Sequence, residues 1–90
     1  MEKLRSMVKG VDVRALVLKL ISEVKGTIPE KLEESQHLVN DVGLDSIDIV
    51  ELSFKLENTF DISIPDADFE KWDTVGSVIQ YIESKLEAKP

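Results

Sequence analysis

The sequence contains no cysteine, which excludes a disulfide framework, a thiolate metal site and a cysteine nucleophile. It has no apolar run near the roughly 18 residues that a membrane span requires, and Met1–Lys9 lacks the apolar stretch of a signal peptide. Basic residues number 11 against 18 acidic ones, so the formal net charge is -7. Such a surface repels nucleic acid and anionic membranes. We therefore expect a cytoplasmic protein that neither binds nucleic acid nor inserts into membranes.

A chain of 90 residues suffices for one small domain and leaves little room for a buried catalytic cavity. We expect a flexible basic leader over residues 1–10 and a helical domain over residues 11–88. The excess negative charge lies in residues 40–73, which carry ten acidic and two basic side chains, a net of -8. A solvated acidic face is sufficient to explain this segment, unless a chemical site lies within it.

Apolar side chains recur at helical spacing in three segments of the chain. They predict a first helix between a cap at Asp12 and a stop at Gly26, a second helix over residues 45–60, and a third helix that begins at a cap formed by Asp73 or Thr74. Residues 65–71 predict a short helical turn, and no useful length alternates with the period of a strand. We therefore expect an all-α fold, a four-helix bundle of three main helices plus one short helix.

The connection from Gly26 to Leu44 is long for a compact domain. Its proline at position 29 predicts a helical turn there, because proline suits a first helical position. Four apolar side chains are predicted to hold the connection against the core: Ile28, Leu32, Leu38 and Val42.

The predicted second helix has two apolar stripes, about 180° apart on a wheel of 100° per residue. One stripe consists of Ile49, Leu52, Leu56 and Phe60. The other consists of Ile47, Val50 and Phe54 and is flanked by the acidic residues Asp48, Glu51 and Glu57. A small domain buries one stripe easily, so the second stripe either lies beneath the long connection or forms a surface for docking another protein.

Ser46 follows Asp45, the predicted N-cap of this helix, and Asp48 is placed to complete a capping box. By position alone, Ser46 is a residue of the helix start. Its hydroxyl is nevertheless predicted to face solvent, where an attached anion would lie near the positive end of the helix dipole. The position is therefore suited to carry a phosphate.

The run from Asp41 to Leu52, DVGLDSIDIVEL, resembles the prosthetic-group motif of acyl carrier proteins, in which Asp-Ser-Leu opens the second helix. The similarity continues through the flanking segments and covers roughly residues 12–87. Two residues depart from the family pattern: Ile47 replaces a leucine, and Trp72 stands where an aliphatic residue is more common. Together with the basic leader, these departures favour a specialised pathway over housekeeping fatty acid synthesis.

The resemblance implies a free-standing, monomeric carrier that is not itself an enzyme. A phosphopantetheinyl transferase would attach 4′-phosphopantetheine from coenzyme A to Ser46 as a phosphodiester, with the metal ion belonging to that enzyme and no metal site in this chain. The terminal thiol of the arm would then carry acyl groups as thioesters between enzymes of fatty acid, polyketide or related lipid biosynthesis. The absence of cysteine fits a cofactor that brings its own thiol.

The same resemblance implies two sets of site residues. The residues that contact basic docking patches on the transferase and the synthases would be Asp45, Ile47, Asp48, Val50, Glu51, Phe54 and Glu57. The residues that line a pocket for the acyl chain would be Leu52, Leu56, Phe60, Ile62, Phe69, Trp72 and Ile79.

Several other functions compete with this interpretation. An aminoacyl or peptidyl carrier tends to have glycine where Leu44 stands and a less acidic second helix. A serine hydrolase requires a Gly-x-Ser-x-Gly elbow and a histidine base, whereas His37 is the only histidine. No window has the spacing of a calcium-binding loop. An acidic helical adaptor without a cofactor remains the simplest alternative.

Overall fold

The structure, a computed structural model, describes residues 13–88. Its helices are α1 Val13–Lys25, α2 Ser46–Phe60, the short α3 Asp66–Phe69 and α4 Val75–Ala88. No β-strand forms within this range, so the prediction of three main helices plus one short helix is confirmed. The predicted leader and the predicted cap at residue 12 lie outside the described residues. None of the described helices combines the length and apolarity needed to cross a membrane.

Apolar side chains from α1, α2 and α4 form a single core. In α1, Val13, Val17 and Ile21 are fully buried, as their helical spacing requires. In α4, Val78 and Ile82 are fully buried by the same rule. Each such side chain stabilises the fold by about 1.5–3 kcal/mol relative to an exposed position. Burial of these side chains therefore packs α1 and α4 with α2 around one core.

The ends of the helices follow local capping chemistry. Gly26 ends α1 with a φ of 83°, a left-handed conformation that glycine adopts without strain. At the start of α4, the Thr74 hydroxyl accepts a hydrogen bond from the Ser77 N–H at 3.1 Å, so Thr74 is the cap. The Asp73 carboxylate accepts from the Thr74 N–H at 2.7 Å. This bond, with a second from the Ser77 hydroxyl, holds the pKa of Asp73 below its ordinary value.

The long connection between α1 and α2 is largely ordered. Pro29–Lys31 forms the predicted turn as a 3-10 helix. Leu38 and Val42 are buried, and Leu32 packs against the core as a partly buried side chain. The prediction for Ile28 is wrong, because this side chain is 51% exposed. Hydrogen bonds of the backbone attach the later part of the connection, residues 34–38, to the fold.

Those backbone hydrogen bonds join the connection to the start of α4. The Leu38 N–H donates to the Asp73 carbonyl at 2.7 Å, and the Val75 N–H donates to the Gln36 carbonyl at 2.9 Å. These two bonds flank a single antiparallel bridge between residues 37 and 74. The connection is therefore fixed immediately before the segment that leads into α2.

Candidate functional site

Ser46 is the first residue of α2, and its side chain is exposed. The capping box predicted around it is present. The Asp45 carboxylate accepts from the Asp48 N–H at 2.8 Å, and the Asp48 carboxylate accepts from the Asp45 N–H at 3.2 Å. Helix geometry leaves the N–H groups of Ser46 and Ile47 without intrahelical acceptors. The serine therefore lies at a rigid, electropositive helix end, between two carboxylates whose orientation is fixed.

The segment that delivers Ser46 to this position is a compact turn. Leu38–Val42 forms a π-helical turn, and the imidazole Nδ1 of His37 accepts from the N–H groups of Val39 and Asn40, both at 3.1 Å. Leu44 follows with 1% exposure and anchors the chain in the core. The sequence did not predict this turn, because histidine is an uncommon helix cap. The turn and its anchor restrict the position of the exposed serine.

The second apolar stripe of α2 faces outward. Ile47 is 74% exposed, Val50 is 37% exposed and Phe54 is 60% exposed, whereas Leu52 and Leu56 on the opposite stripe are fully buried. The long connection therefore does not cover the stripe, and the alternative in which these side chains tuck beneath it is wrong. An apolar row next to Ser46 is a feature of surfaces that bind other molecules.

Four carboxylates named in the sequence analysis lie along α2 or at its start. Asp45 and Asp48 form the capping box, and Glu57 accepts from the Ile64 N–H at 2.6 Å. These three carboxylates hold fixed positions through bonds to the backbone. Glu51 is exposed, one turn beyond the serine. The apolar stripe is thus accompanied by negative charge at defined places.

Mutual repulsion in the acidic segment predicts a response to salt. The segment carries ten carboxylates, while the ion pairs Arg14–Glu34 and Lys55–Glu23 take their carboxylates from outside it. Because ions screen repulsion between exposed charges over about 10 Å at 0.1 M, we expect added NaCl or MgCl2 to raise the melting temperature. Calorimetry at constant pH across a salt series measures this effect. A melting temperature indifferent to both salts would contradict it.

The residues predicted to line an acyl pocket lie together in the core beneath α2. Five of them are buried: Leu52, Leu56, Phe60, Phe69 and Ile79. The other two, Ile62 and Trp72, pack against the core as partly buried side chains. A cleft of about 120 Å³ lies elsewhere, between the end of α1 and the following connection, and none of the seven residues lines it.

Aromatic packing lies at one side of this core. Phe69 and Trp72 were predicted to line the acyl pocket, whereas Tyr81 was not predicted as part of the site. The Trp72 ring lies 6.2 Å from that of Phe69 and 5.5 Å from that of Tyr81, measured between centroids. The Tyr81 hydroxyl donates to the Asp68 carboxylate at 2.7 Å. Burial, followed by this hydrogen bond, raises the pKa of Tyr81 above its ordinary value. The phenol therefore stays neutral and keeps its proton for Asp68.

A helical bundle with this surface belongs to a recognisable class of proteins. Ser46 places an exposed hydroxyl at a rigid helix start, with an apolar row and carboxylates beside it. His37, the only histidine in the sequence, is bound to backbone N–H groups. Among residues 13–88, no group of three or more acidic or histidine side chains is placed to hold a metal ion. An exposed hydroxyl beside an apolar row and fixed carboxylates is a surface suited to presenting an attached group to other proteins.

Comparisons with known proteins agree with this class. Residues 15–82 match the family described as the phosphopantetheine attachment site. An acyl carrier protein of Thermotoga maritima is 38% identical over 80 residues, which cover 89% of this chain and 99% of that protein. One from Bdellovibrio bacteriovorus is 44% identical over 69 residues, covering 77% and 88%. A solved acyl carrier protein structure from Mycobacterium tuberculosis has a TM-score of 0.75 at 29% identity, over 80% of this chain and 96% of that one.

The chain belongs to the acyl carrier protein family. It is a carrier protein rather than a catalyst, and its prosthetic group is covalently bound 4′-phosphopantetheine. The described residues fit this group, because the site offers an exposed hydroxyl at the N-terminus of a 15-residue helix. The N-terminal N–H groups and the helix dipole favour a phosphate there.

Proposed function

We propose that Ser46 is the attachment residue and that the loaded protein carries acyl groups between enzymes of fatty acid, polyketide or related lipid biosynthesis. The observation that carries this proposal is the exposed Ser46 hydroxyl beside the exposed side chains of Ile47, Val50 and Phe54. The Ser46 hydroxyl must reach the active site of the transferase that modifies it. The capping box holds this hydroxyl at the surface. When bound, the prosthetic group supplies the thiol that holds an acyl group as a thioester.

The attachment reaction requires this chain to supply a nucleophile, the Ser46 hydroxyl. The Ser46 oxygen forms a bond to the phosphorus that bears the pantetheine of coenzyme A, and the pyrophosphate P–O bond breaks. Adenosine 3′,5′-bisphosphate leaves, and the serine proton passes to a base of the phosphopantetheinyl transferase. This chain supplies the nucleophile and its position, while the transferase supplies the base and the metal ion. The N-terminal helix dipole stabilises the negative charge of the new phosphodiester.

The partners of the proposed carrier would recognise the surface around Ser46. Glu51 and the fixed carboxylates of Asp45 and Asp48 would meet basic patches on the transferase and on acyl-transferring enzymes. Charge of this kind mainly accelerates and orients the encounter. The exposed side chains of Ile47 and Phe54 would supply most of the affinity, because desolvated apolar anchors dominate binding energy.

The proposal predicts that Ser46→Ala abolishes attachment. The protein is incubated with coenzyme A, magnesium and a broad-specificity phosphopantetheinyl transferase, and its intact mass is measured. The wild-type protein gains one phosphopantetheine, and so does the matched variant Ser84→Ala, which alters another exposed serine. Ser46→Ala gains nothing, because no other residue offers a hydroxyl at the start of α2.

A second readout uses the composition of the chain. Because the sequence contains no cysteine, a thiol reagent reacts only after the prosthetic group is attached, and one thiol per chain then appears. A folded, unmodified wild-type protein that gains no mass and no thiol would favour the acidic adaptor. Modification of Ser46→Ala to the wild-type extent would assign attachment to another residue.

A further inference from the structure

The indole of Trp72 contains a polar atom that the fold leaves unsatisfied. Its ring lies near those of Phe69 and Tyr81, and it packs against the apolar core. The Nε1–H group is shielded from solvent and makes no hydrogen bond within the described residues. Buried donors are hydrogen-bonded in the great majority of protein structures, so an unpaired one calls for a physical explanation.

The neighbouring polar groups do not provide an acceptor for this donor. The Tyr81 hydroxyl donates to the Asp68 carboxylate at 2.7 Å and forms no hydrogen bond with the indole. Phe69 offers only an apolar ring. A phenylalanine at position 72 would supply a comparable apolar surface without the unpaired N–H. The indole thus adds a directed donor to a group of otherwise apolar side chains.

We propose that Trp72 determines specificity for acyl groups with an oxygen atom along the chain, whose carbonyl or hydroxyl oxygen accepts a hydrogen bond from the indole Nε1–H. This inference rests on the proposed function, because it requires an acyl chain to enter the core next to Phe69, Trp72 and Ile79. A saturated chain fills the same space but leaves the N–H unpaired. An oxygenated chain satisfies the donor and compensates for the desolvation of its own oxygen.

The preference follows from the asymmetry of hydrogen-bond energetics. In a pocket without donors, an oxygenated chain is the poorer ligand, since its oxygen loses water and gains nothing. One hydrogen bond at Trp72 reverses that order. Its net contribution shifts the balance between the sequestered and the solvent-exposed chain by roughly 2- to 12-fold.

The test uses Trp72 itself as the reporter, because it is the only tryptophan in the sequence and gives a single indole N–H resonance. The transferase loads the ¹⁵N-labelled protein from coenzyme A analogues that bear octanoyl, 3-oxooctanoyl, 5-oxooctanoyl or 7-oxooctanoyl groups. Intact mass confirms loading in each case. We expect at least one oxo form to move the indole proton downfield and slow its exchange with solvent, beyond any change caused by octanoyl.

Melting temperatures of the same loaded forms supply the second measurement. The oxo form that shifts the resonance should stabilise the wild-type protein more than octanoyl does, and Trp72→Phe should remove this difference. Identical indole shifts for all four loaded forms would overturn the proposal, as would an oxo preference that survives Trp72→Phe. The failure of the proposed function has a different signature, since no analogue would then add mass at all.

Discussion

Phe54→Ala lowers the kcat/KM of a broad-specificity phosphopantetheinyl transferase for this protein by about 30-fold, while the melting temperature stays close to that of the wild type. The Phe54 ring is 60% exposed and lies on the same stripe of α2 as Ile47. An aromatic anchor at the centre of an interface typically contributes 2 kcal/mol or more to binding, and about 1.4 kcal/mol corresponds to a tenfold change. Surface substitutions of this kind usually change stability by less than about 0.5 kcal/mol.

The matched control for this prediction is Ile28→Ala. Ile28 is also a large exposed apolar residue, at 51% exposure, but it lies in the connection after α1 rather than on α2. Its replacement should leave kcat/KM unchanged. Equal losses in both variants would show that the transferase responds to general surface hydrophobicity. An unchanged kcat/KM for Phe54→Ala would remove the outer stripe from the docking surface.

The sequence was sufficient to predict α2, because each of its features depends on short-range spacing. The inner and outer stripes follow from helical periodicity alone, and the exposures of Leu56 and Phe54 agree with it. The capping box likewise depends on two residues three positions apart, Asp45 and Asp48. Local rules therefore predicted both the face of α2 that is buried and the position of Ser46 at its start.

The features that were not predicted depend on contacts between distant segments or on unusual local chemistry. The Leu38 N–H pairs with the Asp73 carbonyl, 35 positions away in the chain. Any residue type can make such a backbone bond, so the sequence contains no signal for it. The His37 cap uses an imidazole nitrogen as acceptor, which requires the neutral ring in one tautomer. The unpaired Trp72 N–H emerges only from the full packing around it.

In the proposed function, the two stripes of α2 divide stability from recognition within one helix. Because the inner stripe supplies the core contacts, the outer stripe contributes little to folding and can remain apolar next to Ser46. The Glu57 carboxylate contributes to the surface and to the fold. It flanks the outer stripe, and it also accepts from the Ile64 N–H after the helix ends. Such a bond fixes the following segment, which leads to α3, relative to the outer stripe.

Leu56→Ala tests the inner stripe, and we expect it to lower the stability of the fold rather than the kcat/KM of the transferase. Leu56 is fully buried in the core, so its truncation leaves a cavity as well as removing apolar contacts. We expect a loss of about 3 kcal/mol in the free energy of unfolding. In a domain of this size, such a loss lowers the melting temperature by roughly 12–24 °C. Denaturant unfolding and calorimetry measure the two quantities independently.

Attachment kinetics on the same variant separate folding from docking. At a temperature where Leu56→Ala remains folded, its outer stripe and Ser46 are intact, so the kcat/KM of the transferase should lie close to the wild-type value. Phe54→Ala loses kcat/KM and keeps its stability, and Leu56→Ala does the reverse. A Leu56→Ala protein as stable as the wild type would show that the inner stripe is not the core. A Leu56→Ala protein that is folded but docks as poorly as Phe54→Ala would show that the two stripes are not independent.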